Sequence, residues 1–339
     1  MTALQPVEAG MFAAVISAGL TPVARTIARR FGVLDHPNVR SSHSVPTPRS
    51  GGYAIVTAIV FGALAVGALR DTSLVVVGLG SLVLIALAAI DEIRTLSRVG
   101  RLIAQLLVGA VVSITLMRPD LAEGPVRATL ITGVAIVWTV WMTNAFNFMD
   151  GINGIASTAA VVAGVTMAIL FSQRGDLAGA GLAIVIAGAA AGFLPWNMTG
   201  TIFMGDVGSS TLGFLFACLV LRASGDGILF PATLPLMPLL FDATLTLVIR
   251  AGRGERFFST PHRDHCYQRL VQGGWSHAAV TALWTGLALA CSALALSWSI
   301  LGATGRWAAG AALLAAHVLV FVLSLRAEPT RLVSSHDLR

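Results

Sequence analysis

The sequence predicts an all-α integral membrane protein, a polytopic bundle of about eleven transmembrane helices, from its composition and its apolar segments. Of its 339 residues, 56% are hydrophobic and only 11% are charged, and the mean hydropathy is +0.82. A soluble domain carries about 25% charged residues. Apolar segments of roughly 17 to 25 residues are long enough to cross a bilayer once. We count eleven, at approximately 9–27, 51–69, 73–90, 102–117, 128–146, 155–172, 177–195, 208–221, 228–249, 278–300 and 307–325.

The polar stretches between these segments are loops. The two longest, 28–50 and 250–277, are too short to bury a core of their own. The chain 1–339 is therefore expected to form a single polytopic membrane domain. The segment at 208–221 is the shortest of the eleven.

Arginine determines the predicted orientation, because the chain contains no lysine. With eleven crossings the loops alternate between the two sides of the membrane, and one side receives 16 of the 22 arginines. The positive-inside rule makes that side cytoplasmic, with the N-terminus outside and the C-terminus inside. The net charge of +6 suits membrane lipids with anionic headgroups and phosphorylated substrates. These arginines are spread over short membrane loops, which argues against a nucleic-acid partner.

The most informative polar string lies between the fifth and sixth segments. It contains the amides of Asn144, Asn147 and Asn153, the carboxylate of Asp150 and two glycines. Amides and carboxylates are costly near hydrocarbon unless they are paired, bind a metal or face a wet cavity. The string therefore predicts a ligand site at a membrane surface.

Two further clusters precede it on the same side. In the first, Arg40, His43 and Arg49 are candidates for binding phosphate, and the prolines on both sides of Thr47 exclude a helix there. An ordinary basic flank of a membrane helix is the alternative. In the second, the adjacent Asp91 and Glu92 end the third segment. The repulsion between the two carboxylates is smallest beside a cation or with one member acting as a base. The alternative is that both only pair with nearby arginines.

Two clusters follow it. Asp206, preceded by a glycine, begins the eighth segment, where open helix N–H groups favour an anion and the carboxylate can hold a metal. A simple helix cap is the alternative. His262, Arg263 and His265 share one loop and suit a diphosphate. A zinc site formed by His262, His265 and Cys266 would lack a fourth ligand at suitable spacing.

Together these clusters can converge on one cytoplasmic-face active-site cleft. Carboxylates with a hard metal, and cations that hold phosphates, are the groups that phosphoryl transfer needs. Asp242, in the ninth segment, either faces the same cavity or pairs with Arg250. A transporter or lipid flippase is the alternative from another class. It would place polar residues near the bilayer midplane, whereas here they gather at one face.

In this order the clusters resemble the polyprenyl-phosphate N-acetylhexosamine-1-phosphate transferases of glycosyltransferase family 4. The matching pieces are Pro46 to Gly52, Asp91-Glu92, Asn144 to Gly154, Gly205 to Ser209 and His262 to Leu270, within about residues 30–277. The resemblance implies that the phosphate of undecaprenyl phosphate attacks the β-phosphate of a UDP-N-acetylhexosamine. UMP leaves, a lipid-linked sugar diphosphate forms, and Mg²⁺ is required, with Mn²⁺ as a substitute.

The resemblance also implies residue roles. Asp91 orients or deprotonates the lipid phosphate with Glu92 beside it, Asn147 and Asp150 contact the uridine nucleotide, and Asp206 holds the metal. The implied catalytic residues are Asp91, Glu92, Asp150 and His265. The implied substrate-binding residues are Arg40, His43, Thr47, Arg49, Asn144, Asn147, Asn153, His262 and Arg263.

Three departures from the family pattern bear on the branch. Glu92 stands where the family often has a second aspartate, Asn153 where many members have an aspartate, and Ser41 where a lysine is frequent. They favour the O-antigen-initiating enzymes of Gram-negative bacteria over the phospho-MurNAc-pentapeptide transferases. The expected location is the bacterial inner (cytoplasmic) membrane. A homodimer is compatible with these expectations.

Overall fold

The computed structural model describes residues 3–37, 45–94, 96–117, 124–255 and 262–327. Arg40, Ser41 and His43, singled out above, lie outside these ranges. Within them the chain forms α1 Pro6–Phe31, β1 Leu34–Asp35, β2 Thr47–Pro48, α2 Gly51–Ala65, α3 Thr72–Ile93, α4 Arg98–Met117, α5 Pro125–Met149, α6 Ile155–Gln173, α7 Leu177–Met198, α8 Gly205–Ala223, α9 Leu229–Thr233, α10 Met237–Gly252, α11 Cys266–Gln272, α12 His277–Ser297 and α13 Ala303–Arg326.

The helices confirm the all-α membrane fold. Within the described ranges, ten stretches are long and apolar enough to cross a membrane, counting Leu229–Gly252 as one. The remaining predicted segment corresponds to α2, which has 15 residues and spans only about 22 Å. That length is less than the hydrocarbon thickness of about 30 Å. Its predicted segment, 51–69, is shortened because Gly67 is left-handed (φ +81°) and a 3₁₀ turn follows it. By contrast, the predicted 208–221 segment is extended in both directions, since α8 has 19 residues.

The two ends of the described chain lie at opposite ends of the bundle. The Leu4 N–H donates to the Ala65 carbonyl, beside the loop between α2 and α3. Ala327, after α13, packs on Gly273, just after α11. We call the end with Ala327 and the C-terminus of α3 the site end, and the opposite one the far end. This arrangement is that of an odd number of crossings, as predicted.

The central helix is α8. Nearly every residue from Val207 to Ala223 is buried, and the helix packs against α2, α3, α4 and α5. Gly208 and Gly213 allow these close approaches: a Cβ on Gly208 would clash with Gly52, and one on Gly213 would lie 2.6 Å from the Met142 carbonyl oxygen. Small residues let the backbones of membrane helices come close together. The first turn of α8, with Asp206, is thereby fixed at the centre of the site end.

The ninth crossing is broken into α9, the 3₁₀ turn Leu234–Leu236 and α10. Prolines at positions 231, 235 and 238 remove backbone N–H donors along this stretch, which accounts for the break. As a result α10 is short, and it places Asp242 toward the site end.

Candidate functional site

A cleft of about 460 Å³ opens at the site end between α3, α4, α5, α8, α10 and the segment that precedes α11. It brings together residues from four of the five predicted clusters. The predicted site residues that line it are Asp91, Asn144, Asn147, Asp206, His262 and His265. Its other polar lining residues are Arg98, Arg101, Gln105, Thr143, Ser210 and Gln268. The acidic and basic side chains of these four clusters therefore meet at the site end of the bundle rather than at its middle.

Asp206 lies in the first turn of α8, where a negative charge is stabilised by the helix dipole. Its side chain is about half exposed (49%). The Asn147 amide donates to Asp206 Oδ1 at 3.1 Å and to Ser209 Oγ at 2.9 Å. Asn147 therefore orients the carboxylate from the neighbouring helix α5, leaving Asp206 Oδ2 toward α4.

The turn that presents Asp206 is built on the strand pair near α1. As expected, Thr47 is not helical: β1 and β2 pair antiparallel, with Asp35 opposite Thr47. The Phe203 N–H donates to the Pro48 carbonyl at 2.7 Å, and the Gly51 N–H donates back to Phe203 at 2.9 Å. Gly205 is left-handed (φ +71°), and a Cβ there would clash with the carbonyl of Arg49.

Asp91 is held by Arg101. Its Oδ2 accepts from Arg101 Nη1 at 2.7 Å, and its Oδ1 accepts the N–H of Leu96 at 2.6 Å. Arg101 also lies 3.9 Å from Asp206 Oδ2, so one guanidinium is shared by two carboxylates. This contact offsets the unfavourable position of Asp91 at the C-terminus of α3.

Glu92 does not line the cleft. Its Oε2 accepts from the Tyr53 hydroxyl at 3.1 Å, and its backbone carbonyl accepts from Arg49 Nη2 at 3.3 Å. Its Oε1 is buried without a hydrogen-bond partner among the described residues and lies beside Gly205. Glu92 and Arg49 therefore support the base of the Asp206 turn.

Asp150 follows α5 directly. Burial raises the pKa of Asp150 well above its usual value, and the negative charge of Asp206 raises it further. The neighbouring Gly151 packs against the ring of Tyr267, whose hydroxyl donates to the Phe148 carbonyl at 3.0 Å. Burial, with the charges of Asp242 and Asp150, keeps the pKa of Tyr267 well above its usual value, so the hydroxyl remains a donor.

The rings of His262 and His265 lie against each other before α11, tilted by 36° with their centroids 5.1 Å apart. His262 Nδ1 lies 3.8 Å from Asp264, and His265 is buried (3% exposed). The Arg263 carbonyl accepts from Gln272, which ties this segment to α11.

Asp242 takes neither of the two arrangements weighed from the sequence. Its carboxylate accepts the N–H groups of Cys266 (2.8 Å) and Tyr267 (3.1 Å) and lies 3.3 Å from His265 Nδ1. Arg250 instead pairs with Glu255 at 2.9 Å. Cys266 is buried, and burial raises the pKa of its thiol to about 12, which disfavours the thiolate that zinc binds.

Arg49, Asp150 and Arg263 do not line the cleft, and two other predicted residues, Thr47 and Asn153, lie apart from it as well. Thr47 is buried and its hydroxyl donates to the Val45 carbonyl. Asn153 is in contact with Met198 through its amide, and its carbonyl accepts from Thr281 at 2.8 Å. Their substrate-binding roles stay predictions.

Two residues were not singled out from the sequence, Gln105 in the cleft and Tyr267 outside its lining. Arg101, in the first turn of α4, is one of the nearby arginines that the sequence offered as a partner of Asp91. Gln105, one turn later, accepts from the Asn144 amide at 2.8 Å. Its position one turn after Arg101, on the same face of α4, is the signal that could have identified Gln105. For Tyr267, which buttresses the loop after α5, the sequence offers no comparable signal.

The donor set fits a hard divalent cation that also binds phosphate. Among the described residues no group of three His, Cys, Asp or Glu side chains is arranged to hold a metal by itself. Mg²⁺ keeps several waters and typically uses one or two carboxylates together with substrate phosphates. The exposed Asp206 carboxylate, with Asp91 across Arg101 and the unpartnered Glu92 Oε1 nearby, suits that mode.

A sequence model described as "Glycosyl transferase family 4" matches residues 74–224, the stretch that holds Asp91, Asn147, Asp150 and Asp206. A "Probable undecaprenyl-phosphate N-acetylglucosaminyl 1-phosphate transferase" of Bacillus subtilis is 30% identical over 269 residues, covering 76% of this chain and 75% of the relative.

Two further relatives cover more of the chain. A "Decaprenyl-phosphate N-acetylglucosaminephosphotransferase" of Mycobacterium tuberculosis is 30% identical over 322 residues, 82% of this chain and 79% of the relative. An "Undecaprenyl-phosphate alpha-N-acetylglucosaminyl 1-phosphate transferase" of Yersinia pestis is 28% identical over 298 residues, 81% and 78% respectively.

Proposed function

The chain belongs to glycosyl transferase family 4, and from this premise we propose that it transfers an N-acetylhexosamine 1-phosphate from a UDP-sugar to undecaprenyl phosphate. The names of the three relatives specify N-acetylglucosamine. We therefore take UDP-N-acetylglucosamine as the donor. The products are UMP and a lipid-linked sugar diphosphate.

The observation that carries the proposal is the meeting of Asp206, Asn147, Asp91 and Arg101 in one cleft at an end of the membrane bundle. Carboxylates supply a site for a hard metal, and a guanidinium supplies bidentate contacts to phosphate. A lipid phosphate anchored at a membrane surface and a soluble nucleotide can both reach such a cleft. A transporter needs its site near the midplane instead.

In the proposed reaction an oxygen of the lipid phosphate attacks the β-phosphorus of the UDP-sugar. The bond from that phosphorus to the bridging oxygen breaks, and UMP leaves with the bridging oxygen. A phosphate monoester has a second pKa near 6, so the lipid phosphate is largely dianionic at neutral pH and needs little help from a base. Asp91 then acts mainly by holding Arg101, which binds and orients phosphate.

Mg²⁺, or Mn²⁺ in its place, would be held by Asp206, with Asp91 and Glu92 close by, and would supply neutralisation of the negative charge on the phosphates. The histidines His262 and His265, with Arg263, would bind the diphosphate and the sugar. Asn144 and Asn147 would bind the nucleotide, with Asp150 next to them.

The cleft would face the cytoplasm of a bacterial inner membrane, where UDP-sugars are available. The lipid-linked product would begin O-antigen or another cell-envelope polysaccharide. A homodimer is compatible with this scheme.

The test is UMP release by the purified protein with Mg²⁺, undecaprenyl phosphate and UDP-N-acetylglucosamine, alongside donors that carry N-acetylgalactosamine, N-acetylfucosamine and N-acetylquinovosamine. Release that requires both the lipid phosphate and one donor supports the proposal and names the sugar. If folded protein releases UMP with none of them, the proposed reaction is wrong for these donors.

A further inference from the structure

A second cavity lies between α9, α10, α12 and α13, away from the cleft. It is a groove of about 780 Å³. Its lining is apolar and aromatic, apart from Arg306 and His317. The apolar lining includes Phe230, Leu234, Leu294, Trp298, Trp307 and Leu314. Nothing in the proposed reaction uses this groove.

The groove extends over about half of the thickness of the membrane. Arg306 lies in the first turn of α13 at the far end, because α13 ends at the site end beside α11. His317 lies eleven residues further along α13, about 16 Å deeper. That depth is close to half of the hydrocarbon thickness of about 30 Å, so it suits one lipid chain of one leaflet.

The outer end of the groove is suited to an anion. The Arg306 guanidinium lies over the Trp298 ring, 4.9 Å from its centroid, and its Nε is buried without a hydrogen-bond partner among the described residues. The N-cap residue Gly302 provides no side-chain cap, so the first N–H groups of α13 are open beside the guanidinium. A guanidinium next to a helix N-terminus matches a phosphate in charge and in donors.

The inner end also has an unpaired polar atom. His317 is only 5% exposed, and its Nδ1 donates to the Leu313 carbonyl at 2.7 Å. The neutral ring therefore offers Nε2 as an acceptor, and that atom has no partner among the described residues. A buried acceptor of this kind needs a donor from an occupant or from a water that enters with it.

We propose that this groove binds one anionic membrane phospholipid. Its phosphate lies at Arg306 and the open turn of α13, and one acyl chain lies along the groove toward His317. Charge complementarity selects the headgroup, and the depth of the groove matches a single chain. The aromatic side chains of Trp298 and Trp307 lie at the level where indole rings favour the membrane interface.

The test is native mass spectrometry of the delipidated full-length protein in detergent, titrated with phosphatidylglycerol or with neutral phosphatidylcholine. Arg306→Gln removes the cation. Gly310→Phe fills the groove, because a side chain at Gly310 enters open space in its lining. The matched controls are Arg174→Gln, an exposed arginine at the same end, and Gly286→Phe, an exposed helix glycine outside the groove.

We expect one phosphatidylglycerol per chain, with retention at least about tenfold weaker in Arg306→Gln and Gly310→Phe and unchanged in both controls. Equal retention of the two lipids, or unchanged phosphatidylglycerol binding in Arg306→Gln, would overturn the proposal. So would a dimer that forms without lipid and disappears in Gly310→Phe, since the groove would then hold a second copy of the chain.

A different observation carries a second inference, which rests on the proposed function. The buried Asp242 (1% exposed) sits behind His265, and His265 lines the cleft. The carboxylate can only accept, so the contact at 3.3 Å makes His265 Nδ1 the donor. We infer that Asp242 is a positioning residue, which fixes the His265 tautomer so that Nε2 faces the cleft as an acceptor for a hydroxyl of the sugar.

A double-mutant cycle tests this once turnover by the unaltered protein is established, so that a failure of the proposed function is recognised first. We expect Asp242→Asn and His265→Gln each to lower kcat about 100-fold, and the double variant to lose no more than His265→Gln alone. Losses that multiply would show that Asp242 acts only on the fold. If Asp242→Asn does not fold, ¹⁵N NMR of histidine-labelled protein decides, since an Nε2-protonated His265 would overturn the inference.

Discussion

Asp206 shows how one side chain gains its properties from three neighbouring elements. The N-terminus of α8 stabilises its charge, Asn147 on α5 orients one oxygen, and Arg101 on α4 lies 3.9 Å from the other. A carboxylate held in this way is half exposed and still oriented by its neighbours, which suits a ligand that must accept a metal together with its substrate.

We expect Asp206→Asn to lower Mg²⁺-dependent UMP release by at least about 100-fold, because a neutral amide binds a hard dication poorly. Binding of Mn²⁺, followed by electron paramagnetic resonance, gives a readout independent of turnover and should weaken in parallel. Asp226→Asn, at the far end, is the matched control. Full Mn²⁺ affinity in Asp206→Asn would show that the metal is held elsewhere.

Asp150 should make stability depend on pH. Because burial and the charge of Asp206 raise its folded-state pKa, its contribution to stability is present below the unfolded-state value near 3.9 and is lost as pH rises through the folded-state pKa. Asp150→Asn removes this loss. The Tm of the variant minus that of the unaltered protein, in EDTA, should therefore grow from pH 4 to pH 8. A constant difference would contradict the raised pKa.

At the scale of elements, the contact between α2 and α8 depends on two glycines. A Cβ on Gly52 would clash with the backbone of Gly208, and the Gly52 N–H donates to the Met204 carbonyl at 2.8 Å. This contact aligns the turn that presents Asp206.

We expect Gly52→Ala to destabilise the protein by about 1–3 kcal/mol and to lower activity, because the helices cannot separate without moving the first turn of α8. Thermal unfolding followed by size-exclusion chromatography measures the loss. Gly133→Ala in α5, where a Cβ meets open space, is the control and should be close to neutral. Similar Tm values for the two variants would show that α2 and α8 can adjust.

A charge cluster at the far end joins α3, α7 and α8. Arg222 pairs with Asp71 at 2.8 Å and with Asp176 at 2.7 Å. Burial alone would raise the pKa of Asp71, but a hydrogen bond from Ser73 and the charge of Arg222 outweigh it and lower the pKa. The pKa of Asp176 is lowered in the same way, because hydrogen bonds from Arg222 and the Gly179 N–H outweigh its burial.

Because both pKa values are lowered, the stabilisation is present above the unfolded-state pKa near 3.9 and is lost as pH falls through the folded-state values. Arg222→Gln should lower stability by about 3 kcal/mol at pH 7, since it leaves two carboxylates without their cation. The difference in Tm from the unaltered protein should shrink below about pH 4. Arg174→Gln, an exposed arginine at the same end, is the control, and a pH-independent difference would exclude the pairing as the cause.

For the whole molecule, the arginine distribution predicts that the site end is cytoplasmic. The three native cysteines are buried and can be replaced, after which Arg253→Cys reports on the site end and Arg174→Cys on the far end. A membrane-impermeant maleimide added to intact cells should label only Arg174→Cys, and both variants after permeabilisation. Labelling of Arg253→Cys in intact cells would reverse the orientation.

The sequence by itself determined the membrane fold, the approximate positions of its apolar helices and the polar clusters that flank them. These follow from local properties, since each apolar segment must span hydrocarbon and each polar side chain must avoid it. It also identified Asp91, Asn147 and Asp206, because a carboxylate or amide beside a membrane helix needs a partner wherever the helix packs.

Only the tertiary structure decided which of these side chains meet. It placed Arg101 between Asp91 and Asp206, moved Glu92 and Asn153 away from the cleft lining, and showed Asp242 binding the N-terminus of α11. The reason is physical: such contacts depend on how closely helices pack, which α8 owes to its glycines. The arrangement of Arg306 and His317 at the two ends of one groove is likewise a property of packed helices, because neither residue has a local pattern that reveals it.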